Sequence, residues 1–250
     1  MGERTSHTPG SFSFAELETS DAAAAQAFYA SVFAWQYEAV SVGGDAPPYF
    51  PAFRDGRQVA ALFESRAPPH WNSYVTVGSA EESAARAAEM GGRIVQDAFD
   101  VMTLGRMAAI ADPTGATVMC WEPRDHIGAY LVNQPGAMTW NDLVTPDPTA
   151  AEQFYPGLFG WDIADVPSAG GYRTIVNDGR MNGGIMPMPD AQPAWIPYFG
   201  HEDLDRLLGE LDGLGASLVT GPRQMPAGRI AMLSDPQGAV FAVWTGDYED

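Results

Sequence analysis

The stretch Phe14-x-Glu16-Leu17-x-Thr19-x-Asp21 runs into Phe28-Tyr29-x-x-x-Phe33-Ala34-Trp35, and the chain then repeats itself. At an offset of 126 residues, Trp140-x-Asp142-Leu143-x-Thr145-x-Asp147 runs into Phe154-Tyr155-x-x-x-Phe159-Gly160-Trp161. The echo continues at an offset of 123: Asp55-Gly56 returns as Asp178-Gly179, Gly105-Arg106 as Gly228-Arg229, Asp112-Pro113-x-Gly115-Ala116 as Asp235-Pro236-x-Gly238-Ala239, and Trp121 as Trp244. The change of offset is what one loop insertion produces. A repeat this long is a duplicated module, not a solenoid. The expected domains are residues 11–123 and 136–246, preceded by a flexible tail over 1–10 and joined by a linker too short to let them drift apart.

Within each copy, alternation and helical spacing read as strand, helix and three further strands. Residues 11–18 alternate as a strand, Ser20 or Asp21 caps a helix over 22–33, and hairpins turn at Asp55-Gly56 and at Asp112-Pro113. A second helix covers 80–90 and ends at Gly91-Gly92. The second copy follows the same order, with strands at 138–144, 171–177, 180–188, 195–200, 229–234 and 239–245, and helices at 149–159 and 202–214.

The charge excludes some partners. Thirteen basic residues, all Arg, face 32 acidic ones, for a net charge of −19. Such a field repels nucleic acid and anionic membranes, so neither is expected as a partner. A neutral or cationic aromatic small molecule is better tolerated. Cys120 is the sole cysteine, which leaves no internal disulfide and no Cys-based zinc site. No apolar run approaches a membrane span, so the expected location is cytoplasmic. No G-x-G-x-x-G follows a strand and no P-loop is present, so no cofactor is expected. The sequence is compatible with a monomer or a homodimer.

The two Asp-x-x-x-x-x-x-Phe-Tyr-x-x-x-Phe-x-Trp stretches and the two Asp-Pro-x-Gly-Ala turns leading to Trp resemble the vicinal oxygen chelate superfamily. That superfamily includes glyoxalase I, the bleomycin-resistance proteins and the extradiol dioxygenases. Within it, the first half is similar to metal-free antibiotic-pathway and "hydroxylase-like" members, which share the Phe-Tyr helix and a Trp-x-x-Tyr strand. The resemblance implies an α+β fold of two tandem βαβββ modules, whose curled mixed sheets form a pseudo-two-fold cleft with helices outside.

The resemblance also marks where metal ligands would stand. Those positions hold Phe14, Asn72 and Met119 in the first copy and Trp140, Ile196 and Ala242 in the second. None is a good ligand for Zn²⁺, Mn²⁺ or Fe²⁺. His7, His70, His126 and His201 are read as structural or solvated.

What alternation turns toward the cleft is aromatic and methionine-rich: Phe12, Phe14, Asn72, Tyr74, Met119, Trp121, Met138, Trp140, Tyr198 and Trp244. Such a wall suits a flat, bulky, mainly apolar ligand, although inward aromatics also serve simply to fill a core. Glu16 and Asp142 occupy the same position in the two copies, on that same face. A carboxylate in an apolar pocket needs a partner, and burial turns it into a candidate general acid or base. The plain alternative is a structural carboxylate anchored by an Arg, Tyr or Trp, with Arg106 and Arg229 as the natural partners. Two functions remain open. One is a metal-independent protein that holds an aromatic metabolite or antibiotic in the inter-module cleft, for sequestration or self-resistance. The other is a metal-free isomerase, cyclase or cofactor-free oxygenase of natural-product biosynthesis that uses Glu16 and Asp142 as acid and base.

Overall fold

The computed structural model describes residues 2–44, 47–167 and 170–248. The first module runs β1 (Phe12–Thr19), α1 (Ala22–Phe33), β2 (Gln36–Tyr37), β3 (Tyr49–Arg54) and β4 (Arg57–Glu64). It then repeats that order as β5 (His70–Thr76), α2 (Ala80–Glu89), β6 (Arg93–Val101), β7 (Gly105–Ala111) and β8 (Thr117–Pro123). The second module matches it: β9 (Met138–Thr145), α3 (Pro148–Phe159), β10 (Asp162–Asp165), β11 (Arg173–Asn177), β12 (Arg180–Pro187), β13 (Ala194–Gly200), α4 (Leu204–Leu214), β14 (Ser217–Met225), β15 (Gly228–Ser234) and β16 (Val240–Gly246). The expected α+β architecture of two tandem modules is present, and each module carries the strand-helix-three-strand unit twice.

Each module makes one eight-stranded mixed sheet, ordered β2-β3-β4-β1-β5-β8-β7-β6 and β10-β11-β12-β9-β13-β16-β15-β14. The central strands β1, β5 and β8, and their counterparts β9, β13 and β16, carry the conspicuous sequence patterns. The edge strands β6 and β14 were not foreseen. Most of their residues are exposed, so burial imposes no alternation on them.

Local chemistry sets the element ends. The Asp21 carboxylate accepts the Ala24 N–H at 2.9 Å, and Asp147 accepts that of Ala150 at 3.0 Å, so each caps its helix. In the hairpins, Asp55-Gly56 and Asp178-Gly179 all have positive φ, 51° and 71° in the first and 51° and 74° in the second. That is the backbone a two-residue primed turn demands.

The largest core lies between the modules and draws on both. Ala15 and Leu17 point toward it from β1, whereas Phe14 and Glu16 point away. The Phe33 ring lies 5.3 Å from that of Phe199, and Phe28 meets Phe241 edge-on at 6.1 Å. Two reciprocal hydrogen-bond chains cross this boundary. The Trp71 indole donates to the Tyr29 hydroxyl at 3.1 Å, which donates to Asp235 at 3.0 Å. Trp195 donates to Tyr155 at 2.9 Å, which donates to Asp112 at 2.9 Å. The Phe-Tyr helix of each module thus grips the Asp-Pro-x-Gly turn of the other. Trp35 and Trp161 add indole bonds to the Gly136 and Gly10 carbonyls.

Alternation misplaces two residues. Phe12 and Met138, expected in the cleft, lie in the shared core, where the Phe12 ring packs at a tilt against Trp195 at 4.9 Å and Trp161 at 5.4 Å. Register shifts between Phe12 and Phe14, and between Tyr198 and Phe199 opposite Met138, turn them over. Residues 2–10, expected to be loose, are tied down: Glu3 bridges Leu131, the Arg4 N–H donates to Tyr130, and the Gly10 N–H donates to Thr76.

Removing either tyrosine hydroxyl leaves a buried aspartate short of a donor. Tyr29→Phe and Tyr155→Phe are each expected to lower stability by about 1–3 kcal/mol, read by urea unfolding; wild-type midpoints in both variants would contradict the cross-module chains.

Candidate functional site

On the face of each sheet away from the shared core, the strand register sets side chains in rows. In the first module Phe14, Tyr74 and Met119 align across β1, β5 and β8, with Glu16 opposite Asn72 in the next row. In the second, Trp140, Tyr198 and Ala242 align, with Asp142 opposite Ile196. The row beside Phe14 and Met119 therefore holds Tyr74 rather than Asn72.

Phe14, Tyr74 and Trp121 form one apolar cluster with Ala61, Ala129 and Val132, and Met119 packs against it. Tyr198, Ile196, Val144, Met232 and Ala242 form the other, with Trp140, Met186 and Met188 packed alongside. The first cluster draws only on the first module and the linker, the second only on the second module. The expected inter-module cleft is thereby corrected, and whether Glu16 and Asp142 share one pocket, which the sequence left open, is answered by the packing. The boundary between modules is filled by the shared core, and the two carboxylates belong to separate sites. Trp244 lies half-buried at the rim of the second site, opposite Ile230, with its indole donating to the Asp247 carbonyl at 3.0 Å.

Each carboxylate is held by two tyrosines. Tyr49 donates to one Glu16 oxygen and Tyr74 to the other, both at 2.7 Å. Tyr172 donates to Asp142 at 2.7 Å and Tyr198 at 2.5 Å, while the Trp140 indole donates to Asp142 at 2.8 Å. Arg106 and Arg229, the expected partners, are elsewhere. Arg106 pairs with Glu81 of α2 and with Asp100, and Arg229 with Asp205 of α4, on the helical side of the sheets and with exposed carboxylates. Burying a guanidinium would cost more than burying a phenol, and the phenol satisfies the carboxylate equally well.

Burial raises the pKa of Glu16, and the Tyr74 and Tyr49 hydroxyls offset part of the rise. Burial likewise raises Asp142, against hydrogen bonds from Tyr198, Tyr172 and Trp140. Asp142 is 2% exposed, whereas Glu16 keeps partial access to solvent. Burial and the neighbouring carboxylates push the Tyr74 and Tyr198 phenols far above their ordinary range, so both remain donors.

Tyr49 and Tyr172 were overlooked in the sequence reading. The signal was available, because they are identical residues at the same 123-residue offset as the other late repeats. Of the two readings open for His126, structural or solvated, the packing favours the structural one: its ring lies edge-on to Phe14 at 5.4 Å and Trp121 at 6.0 Å, and its Nε2 pairs with the Gln58 side chain. Burial and the proximity of His7 lower its pKa to about 4. Surface hollows of about 250 Å³ beside Glu3, Arg57 and Tyr130, and of about 280 Å³ beside Glu81 and Arg106, touch neither carboxylate.

Sequence and fold comparisons agree on the class. Residues 11–120 match the Glyoxalase/Bleomycin resistance protein/Dioxygenase superfamily and residues 138–244 a glyoxalase-like domain. The chain belongs to this superfamily. It is 36% identical to the putative glyoxylase CFP32 of Mycobacterium tuberculosis over 97% of both chains. It is 30% identical to the anthracycline biosynthesis protein DnrV of Streptomyces peucetius, over 96% of this chain and 94% of that protein. Among solved structures it shares the fold of the Mn(II)-bound glyoxalase from Novosphingobium aromaticivorans, with a TM-score of 0.66 at 16% identity, covering 100% of this chain and 86% of the other. The 2,3-dioxygenase LapB from Pseudomonas sp. KL28 aligns equally well, with a TM-score of 0.66 at 12% identity over 96% and 93% of the two chains.

The metal suggested by such relatives does not fit the residues present. Among the described residues no group of three or more His, Cys, Asp or Glu could hold an ion. The inward rows offer Phe14, Tyr74 and Met119 in one module and Trp140, Tyr198 and Ala242 in the other, and the carboxylate oxygens are already engaged by phenol and indole donors. No described helix is long and apolar enough to cross a membrane.

A raised carboxyl pKa couples folding to proton uptake. The contribution of Asp142 to stability is largest below its ordinary pKa of 3.8 and is lost as pH rises through the higher folded value. Asp142→Asn should therefore flatten the loss of stability from about pH 4 to about pH 7 relative to wild type, measured by urea unfolding across that range. Parallel pH profiles would mean that the group is not perturbed.

Proposed function

We propose that this protein binds a bulky aromatic small molecule, a secondary metabolite or antibiotic, without a metal ion, and holds it for sequestration or self-resistance. One observation carries the reading: in both modules the repeat-matched inward carboxylate, Glu16 or Asp142, has its oxygens engaged by tyrosine hydroxyls. A carboxylate so saturated is a fixed polar floor, poorly placed to take a proton from a substrate. Around it stand aromatic rings and methionines, which offer stacking area and adaptable packing. The similarity to an anthracycline biosynthesis protein supports a flat, multi-ring ligand. The net charge of −19 favours a neutral or cationic one and disfavours nucleic acid and anionic membranes. The cytoplasm is the compartment in which such a protein would intercept its ligand.

The second reading, a metal-free enzyme of natural-product biosynthesis, draws on the raised pKa of Glu16 and Asp142 and on the name of that same relative. It requires a carboxylate to exchange a tyrosine donor for the substrate.

Fluorescence titration with polycyclic aromatics, before and after exhaustive chelation, separates these possibilities. The binding reading expects an unchanged dissociation constant after chelation and a ligand recovered intact. Chemically altered ligand in large excess over protein, abolished by Glu16→Gln or Asp142→Asn, would establish the enzyme instead. Binding that disappears with the metal would overturn both.

A further inference from the structure

We infer that one ligand binds per chain, on the inner face of the second module, because a strap of the chain itself occupies the matching face of the first. This rests on the binding function proposed above.

The strap has two layers. The linker after β8 lies on the first module's aromatic cluster: the Trp121 indole donates to the His126 carbonyl at 2.9 Å, the His126 N–H to Leu104 at 3.0 Å, and the Ala129 N–H to Ser13 at 2.7 Å. Ala129 and Val132 belong to the cluster beneath. The N-terminal segment lies along the linker, with the Arg4 N–H on Tyr130 and His7 on the Ala129 carbonyl at 2.8 Å. The His126 ring already takes the edge-on position against Phe14 and Trp121 that an aromatic ligand would need. Glu16 keeps some exposure, so the strap takes the stacking surface and leaves the polar floor.

The repeat-matched rings of the second module differ in this respect. Phe14 is 4% and Trp121 6% exposed, whereas Trp140 and Trp244 are both only half-buried. Met186 and Met188 flank that face, also half-buried. Unbranched thioether side chains repack around a guest at low cost. Two part-exposed indoles beside unbranched, half-buried methionines suit a flat, multi-ring aromatic. Its polar edge would meet Tyr172, whose hydroxyl bridges Trp140 and Asp142.

The test uses the full chain and the anthracycline doxorubicin, with native mass spectrometry for stoichiometry and fluorescence titration for affinity. One equivalent per chain is expected. Trp244→Ala and Met188→Ala should each weaken binding about three- to tenfold, and Trp140→Phe, which keeps the apolar ring, should do so less. His126→Ala, in the strap, should leave affinity unchanged. Unchanged thermal melting of Trp244→Ala, at the half-buried rim, guards against misfolding as the cause. Two equivalents per chain, or loss of affinity on His126→Ala with none on Trp244→Ala, would overturn the assignment while leaving the binding function intact. No binding by the wild-type chain would overturn the binding function itself.

Discussion

The tyrosine of each Phe-Tyr helix reaches into the other module, and much of the architecture depends on that exchange. Tyr29 and Tyr155 each accept an indole N–H from their own module and donate to an aspartate of the opposite one. The aspartates cannot move to meet them, because their other oxygen is committed. Asp112 Oδ1 accepts the N–H groups of Thr114, Gly115 and Ala116, and Asp235 Oδ1 those of Gln237 and Ala239. A rigid turn thus meets a rigid helix across a core of interlocking rings. The modules dock with defined geometry on their helical faces, and the opposite faces carry the inward carboxylates with their tyrosines.

On those opposite faces the duplication has conserved a polar arrangement and let the surroundings diverge. Carboxylate and paired tyrosines recur in both modules at equivalent positions. The module-two carboxylate is shorter, and an indole joins its donors. What separates the two sites is the cover. The linker, which has to run from the first module to the second, passes over the first site and contributes Ala129 and Val132 to its packing. A connection required by covalent continuity therefore also makes duplicated sites unequal.

Replacement of metal-ligand positions by Phe14, Met119, Trp140 and Ala242 has an electrostatic consequence. The inward carboxylates Glu16 and Asp142 are held instead by neutral phenol and indole donors. Phenols serve because their own ionisation is suppressed by the same burial that raises the carboxyl pKa. An arginine would bring a charge that needs hydration, and Arg106 and Arg229 pair instead with the exposed carboxylates of Glu81, Asp100 and Asp205.

The repeated motif, the helix caps, the primed turns and the central strands were legible in the amino-acid sequence, because each depends on neighbours close in the chain or on a period that burial imposes. The same holds for Glu16, Asp142, Tyr74 and Tyr198 as inward residues. Edge strands β6 and β14 were not legible, since mostly exposed strands carry no alternation. Phe12 and Met138 were misassigned because a register shift reverses parity and leaves no mark in composition. The residue pairs that bind the modules, Tyr29 with Asp235 and Tyr155 with Asp112, lie 206 and 43 positions apart. The sequence by itself determined that Glu16, Asp142, Tyr74 and Tyr198 face inward, because strand alternation carries that far where no register shift intervenes. Only the tertiary structure decided that the two carboxylates stand in separate sites and that the linker covers one of them, because both depend on how the two sheets pack and on the path between them, neither of which any local pattern encodes.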